Sequence, residues 1–145
     1  MKIYPLLLAL FLAACMLAVH FLVSNGTLTG APLSYFGASL MVLCVLMVFW
    51  SAGVFRRRNT TLNPTGEPSA LATEGLYRVS RNPMYLGMLL GLLGLTAVLG
   101  DAALAAGPAL FAWVTTCQIR REESVLEQRF GAVYLAYKAR VRRWL

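Results

Sequence analysis

Charge is what this sequence has least of. Only 13% of its 145 residues are charged and 59% are hydrophobic, whereas a soluble domain carries roughly 25% charged residues. A water-soluble globule of this composition has too little polar surface to cover itself. Disorder, a collagen repeat and a coiled coil are excluded by the same figures. Ligand-forming residues are scarce too. The three cysteines, Cys15, Cys44 and Cys117, are scattered through apolar stretches and form neither a metal set nor a disulfide framework. There is one histidine, His20. There is no P-loop and no nucleophile elbow, and Gly87, Gly91 and Gly94 do not make a dinucleotide fingerprint. What remains is a single integral membrane domain over residues 1–145, all-α, with no metal expected.

The chain then supplies its own spans. A membrane helix needs about 20 mostly apolar residues, and residues 3–23 and 33–55 provide two. Residues 83–99 and 102–119 provide two shorter ones, joined at Gly100-Asp101, a tight turn with Asp101 as helix N-cap. No charged residue lies between Lys2 and Arg56, and only Asp101 lies between Arg81 and Arg120. With four spans, all 13 Lys and Arg residues fall on one side, and the positive-inside rule places both termini in the cytoplasm. Net charge is +7, but a nucleic-acid partner is not expected, because the basic residues are confined to the ends of apolar runs instead of covering a wet face. Leu12-Ala13-Ala14-Cys15 resembles a lipoprotein signal box, yet the apolar run continues past Cys15, which reads as a transmembrane helix with a buried cysteine. His20 reads as a group facing a helix neighbour or the membrane interface, with a proton relay as the sharper alternative.

Two polar segments remain on the basic side: a loop, 56–82, and a C-terminal segment, 120–145. The second reads as helical from about Arg120 to Arg140. Leu126, Phe130, Val133, Tyr134, Tyr137 and Val141 form one apolar-aromatic stripe, opposite Glu127, Arg129, Lys138 and Arg140. Such an amphipathic helix is suited to lie on the membrane or close over the ends of the spans. At the mouth of the third span, Pro83 suits the first helical turn and Asn82 the N-cap. The amides of that turn, with Arg78 and Arg81, favour an anionic group, although the same residues also serve as a positive-inside anchor. Glu122-Glu123 either balances the adjacent Arg120 and Arg121 or recognises a ligand's cationic or hydroxyl groups. Gly87, Gly91 and Gly94 lie on one helix face, for close helix packing or for close approach of backbone to a ligand.

At these residues the chain resembles the isoprenylcysteine carboxyl methyltransferase and phospholipid methyltransferase superfamily of integral membrane enzymes. The matching segments are Gly75-Leu76-Tyr77-Arg78-Val79-Ser80-Arg81-Asn82-Pro83-Met84-Tyr85-Leu86-Gly87, Glu122-Glu123-Ser124-Val125-Leu126, Phe130 to Tyr137, and Val141-Arg142-Arg143. The family pattern Arg-His-Pro-x-Tyr-x-Gly has Asn82 at its histidine position. Asn offers hydrogen bonds but no proton shuttle.

To the four transmembrane helices read above, the resemblance adds a pocket for S-adenosylmethionine at the cytoplasmic membrane face, covered by the C-terminal amphipathic helix. It implies cofactor contacts from Tyr77, Arg78, Arg81, Asn82, Pro83, Tyr85, Gly87, Glu122, Glu123, Tyr134 and Tyr137. Tyr85, Glu123 and Arg142 would stand at the reaction centre. The partners are membrane lipids and a lipophilic acceptor bearing a carboxylate, amine or thiol, and the setting is a bacterial inner membrane. Oligomeric state stays open. Two other readings compete: a membrane NADPH-dependent relative of the sterol reductases, and a non-catalytic protein that binds lipid or a partner through its basic face.

Overall fold

The computed structural model describes residues 4–23, 28–57 and 71–145. They form four helices: α1 (Pro5–Val23), α2 (Ala31–Arg57), α3 (Pro83–Leu99) and α4 (Ala106–Arg140). Two short 3-10 turns, Gly75–Arg78 and Ala102–Ala105, precede α3 and α4. No strand occurs among the described residues. Residues 58–70, about half of the 56–82 loop, lie outside them.

Three helical stretches are long and apolar enough to cross a membrane: Pro5–Val23, Ala31–Val54 and Ala102–Arg140. The fourth, α3, has 17 residues and extends about 25 Å, short of a hydrocarbon layer of about 30 Å. It is also the most enclosed helix, with Leu86, Met88, Leu92, Leu95 and Leu99 all buried. Of these, Met88, Leu92, Leu95 and Leu99 meet Leu12 and Met16 of α1 and Phe111 of α4 in one apolar core. Leu7, Leu10 and Phe11 of α1 and Phe36, Val42 and Phe49 of α2 point outward, as lipid-facing residues do. Cys15 is on that outward face, so the expectation of a buried cysteine there is corrected: helical phase turns it away from Leu12 and Met16.

The glycine face of α3 packs within the chain. A Cβ added at Gly94 would lie 2.5 Å from the Gly37 carbonyl oxygen, and one at Gly37 would lie 2.5 Å from that of Gly94. Along the same seam, a Cβ at Gly91 would meet the Cys44 sulfur at 2.8 Å and one at Gly87 the Met47 Cβ at 2.9 Å. Lipid tails are as apolar as leucine, so helices in a bilayer gain little by hiding side chains. Backbone-to-backbone approach through glycine supplies the contact instead.

The α3–α4 connection forms as its sequence requires. Gly100 ends α3 in the left-handed region, at φ 71°, a conformation that glycine adopts without cost. The Asp101 carboxylate then accepts the Ala103 N–H at 2.9 Å.

Beyond the spans the structure corrects the expected C-terminal helix. No separate helix begins at Arg120, because nothing between Ile119 and Phe130 breaks the preceding one, and α4 runs on without interruption. The break comes at Gly131 (φ 49°, ψ −126°). It turns the last helical segment back, and an ion pair between Lys138 and Glu127 bridges the bend. The bend also resets helical phase. Tyr134, Tyr137 and Val141 are buried against Leu71, Leu126 and Phe130, whereas Val133, expected on the same stripe, is 67% exposed.

Candidate functional site

After Arg140 the backbone leaves the helix. Val141 is extended at φ −121°, ψ 130°, and Arg142 pairs with Ser80 in a parallel β-bridge. The Arg81 N–H donates to the Arg142 carbonyl at 3.0 Å. The Asn82 side-chain amide donates to the Arg143 carbonyl at 3.1 Å, and the Ser80 hydroxyl donates to the same carbonyl at 3.4 Å. Residues 141–143 thus form a strap across the start of α3. Successive side chains on an extended chain point to opposite sides. Val141 is accordingly buried, Arg142 exposed, and Arg143 turned inward.

Arg143 meets Glu123 there. Its Nε and Nη2 donate to the two carboxylate oxygens at 3.0 and 2.7 Å, the bidentate fork that suits a guanidinium. Arg81 approaches the same carboxylate at 3.1 Å and donates to the Tyr134 hydroxyl at 3.4 Å. The side chains of Arg81 and Glu123 are only 9% and 7% exposed. Burial pushes the Glu123 carboxyl up, but the Arg143 hydrogen bonds and the charges of Arg81 and Arg143 outweigh it. The group is held below the usual carboxylate range. Glu123 is therefore an anion saturated by two cations. The Nε of Arg81 is buried and lacks a hydrogen-bond partner among the described residues.

Glu122, its neighbour, faces different company. It accepts a hydrogen bond from the Tyr85 hydroxyl at 2.8 Å and another from the Gln118 amide at 3.0 Å. Gln118 also donates to the Tyr85 hydroxyl at 3.3 Å. One helical position therefore separates a carboxylate held by arginines from one held by neutral donors.

The tyrosines complete the site. Tyr137 donates its hydroxyl to the Tyr77 carbonyl at 2.6 Å, tying the last helical segment to the 3-10 turn before α3. Burial pushes Tyr137 up to about 12, with the neighbouring Tyr134 adding to the effect, and burial raises Tyr77 as well. The Tyr77 ring lies 6.4 Å from that of Trp50 on α2. Gly75 makes this approach feasible, since a Cβ there would lie 2.0 Å from the Trp50 ring.

Of the residues expected at the site, Arg81, Asn82, Pro83, Tyr85, Glu122, Glu123, Tyr134, Tyr137 and Tyr77 gather around the start of α3. Arg78 is exposed at the end of its 3-10 turn, Arg142 contributes backbone while its side chain is exposed, and Gly87 faces α2. Asn82 occupies the N-cap position but makes no side-chain cap; its amide nitrogen donates to the strap. Sequence reasoning missed Arg143 and Gln118. Arg143 is indistinguishable from Arg142 until the strap's extended phase is known, and Gln118 reads as part of an apolar span. Two open pockets, of about 300 and 400 Å³, are lined by other residues, one around His20 and Asp101 and one around Trp50 and Leu76. A cofactor pocket beneath the C-terminal segment is an expectation that neither of them meets.

Comparison with known proteins gives this arrangement a context. The chain is 48% identical over 63 residues to an uncharacterized protein of Haemophilus influenzae, a stretch that is 43% of this chain and all of that one. It is 36% identical over 76 residues to protein-S-isoprenylcysteine O-methyltransferase B of Arabidopsis thaliana, and 38% over 72 residues to the A form. Those stretches are 52% and 49% of this chain and 39% and 36% of the plant proteins, so the chain spans under two fifths of their length. No solved structure matches. The family model for phospholipid methyltransferase matches residues 33–133, from α2 through the site to the Gly131 bend, and the chain belongs to that methyltransferase family.

Proposed function

We propose that this integral membrane protein transfers a methyl group from S-adenosylmethionine to a lipid-like acceptor at the cytoplasmic face of a bacterial inner membrane. The carrying observation is the pair of unlike carboxylates, Glu122 and Glu123, at the start of α3 within a region matched by a methyltransferase family model. The donor set suits a ligand with a sulfonium, an ammonium, a carboxylate and ribose hydroxyls. Glu122 is the carboxylate left to face an ammonium or hydroxyls, with Tyr85 and Gln118 fixing its rotamer. The buried Nε–H of Arg81 suits a carboxylate, and the faces of Tyr77, Tyr134 and Tyr137 suit a sulfonium by cation–π attraction. When bound, the cofactor supplies an electrophilic methyl group.

The protein's part is then mainly positioning. Methyl transfer is an in-line displacement governed by approach and alignment, so a chain without an acid–base pair is adequate to it. Glu123 holds the strap through Arg143, and Asn82 holds it through the backbone. An acceptor arriving from the bilayer needs no aqueous route. The four-span reading, with α3 as the short central span, puts both termini on the basic side.

Calorimetric binding of S-adenosylhomocysteine to the purified protein in detergent, beside NADPH, tests the reading. Binding of the first is expected, and its absence would sink it. Labelled methyl transfer from S-adenosylmethionine into a total lipid extract should then identify the acceptor. A reporter fused after Leu145 should score as cytoplasmic.

A further inference from the structure

At the far end of α3, about 24 Å along the helix from Pro83, lies a polar cavity that the methyltransferase reading does not use. It is an open pocket of about 300 Å³, lined by His20, Leu28, Thr29, Leu99, Gly100, Asp101 and Ala102, at the small end of the range for ligand sites. His20 is 1% exposed, and neither ring nitrogen has a hydrogen-bond partner among the described residues. A buried polar group left unpaired is costly and calls for an explanation. The ring's edge-on contact with Phe21 holds it without satisfying either nitrogen.

The cavity wall is firmly built. The Thr29 hydroxyl donates to the Ala97 and Val98 carbonyls at 2.8 and 2.9 Å. Its methyl sits against Gly100 so closely that a Cβ there would lie 2.0 Å away. Asp101 is the one charged residue between Arg81 and Arg120, and no Lys or Arg lies between Lys2 and Arg56. Among the described residues, this end of the molecule therefore carries the Asp101 carboxylate, a buried imidazole and no basic side chain. Phosphate alone would meet only repulsion. A divalent metal would find one nitrogen and one carboxylate, fewer than the three protein ligands of even an open zinc site.

We propose that this cavity binds a small primary ammonium, with Asp101 as counter-charge and His20 as hydrogen-bond partner. The ammonium belongs either to a lipid head group of the adjoining leaflet or to a free amine.

The single histidine makes the site directly readable. In the full chain with labelled imidazole, in nanodiscs free of amine lipids, ethanolamine should shift the His20 resonances. Asp101→Asn should weaken that response at least about tenfold, since a charged hydrogen bond is worth about 1.5–3 kcal/mol, and asparagine keeps the N-cap. Phosphatidylethanolamine nanodiscs provide the second arm. A shift there but not with free ethanolamine assigns the ammonium to lipid, and a shift with both assigns it to the chemistry alone. No shift in either arm, or an Asp101→Asn protein that responds like the parent, overturns the proposal. His20→Gln, with thermal unfolding as the readout, should lose any stabilisation by ethanolamine, and full retention would overturn it equally.

Discussion

The α2–α3 seam and the strap over the start of α3 hold the same helix by opposite means. Along the seam there is no charge, and contact is made by backbone meeting backbone at Gly37 and Gly94. At the strap nearly every contact is polar, and Glu123 is gripped by Arg81 and Arg143. Inside lipid, volume is the variable that matters, because no hydrophobic gain compensates for poor fit. At the rim, charge is the variable, because an ion taken from water must find partners. The seam should thus be sensitive to a methyl group and indifferent to pH, and the strap the reverse.

The sharpest way to break this contrast is Glu123→Ala, which leaves two arginines without their shared anion. A loss of about 3 kcal/mol is expected, read as a lowered Tm in detergent. Glu123→Gln should remove the acid sensitivity of the parent. The carboxyl's pKa is lower folded than unfolded, so its contribution is present above the unfolded value, about 4.3, and lost as pH falls through the folded one. A parent and variant with parallel stability profiles below pH about 5 would remove the strap's electrostatic character. Next in size is Gly94→Ala. Its Cβ would press on the Gly37 carbonyl, costing about 2 kcal/mol with no dependence on pH; an unchanged Tm would dissolve the seam. Asn82→Ala should cost about 1 kcal/mol through the lost bond to Arg143, and trypsin should cut after Arg143 sooner. The smallest effect has the opposite sign. Gly53, also on α2, has nothing within 4 Å of an added Cβ, so Gly53→Ala should raise stability by about 0.5–1 kcal/mol. A loss there comparable to that at Gly94 would mean that helix position, not contact, governs the glycines.

The spans were legible because lipid imposes a long apolar run on anything that crosses it. So was the Gly100-Asp101 turn, whose two residues each have a local reason to be there. The glycine face of α3 was visible, but its meaning was not, since only the placement of Gly37 on α2 shows what it meets. Gly131 looked like a helix glycine until its φ was known, and the phase of Val133 went wrong with it. At the site, the residue set around the start of α3 was readable, whereas the division between Glu122 and Glu123 was not. That division depends on Arg143, and the inward turn of Arg143 depends on pairing with a segment far away in the chain.

That distance has a consequence for assembly. The contact from Asn82 to Arg143 closes a loop of 61 residues, an entropic cost of about 4 kcal/mol for a free chain. Helices α3 and α4 within that loop shorten the flexible part once they stand side by side. The strap therefore rewards closure only after the helices have docked, and a local charge cluster serves as the last step of folding: Glu123 acquires its second arginine when the bundle is already in place.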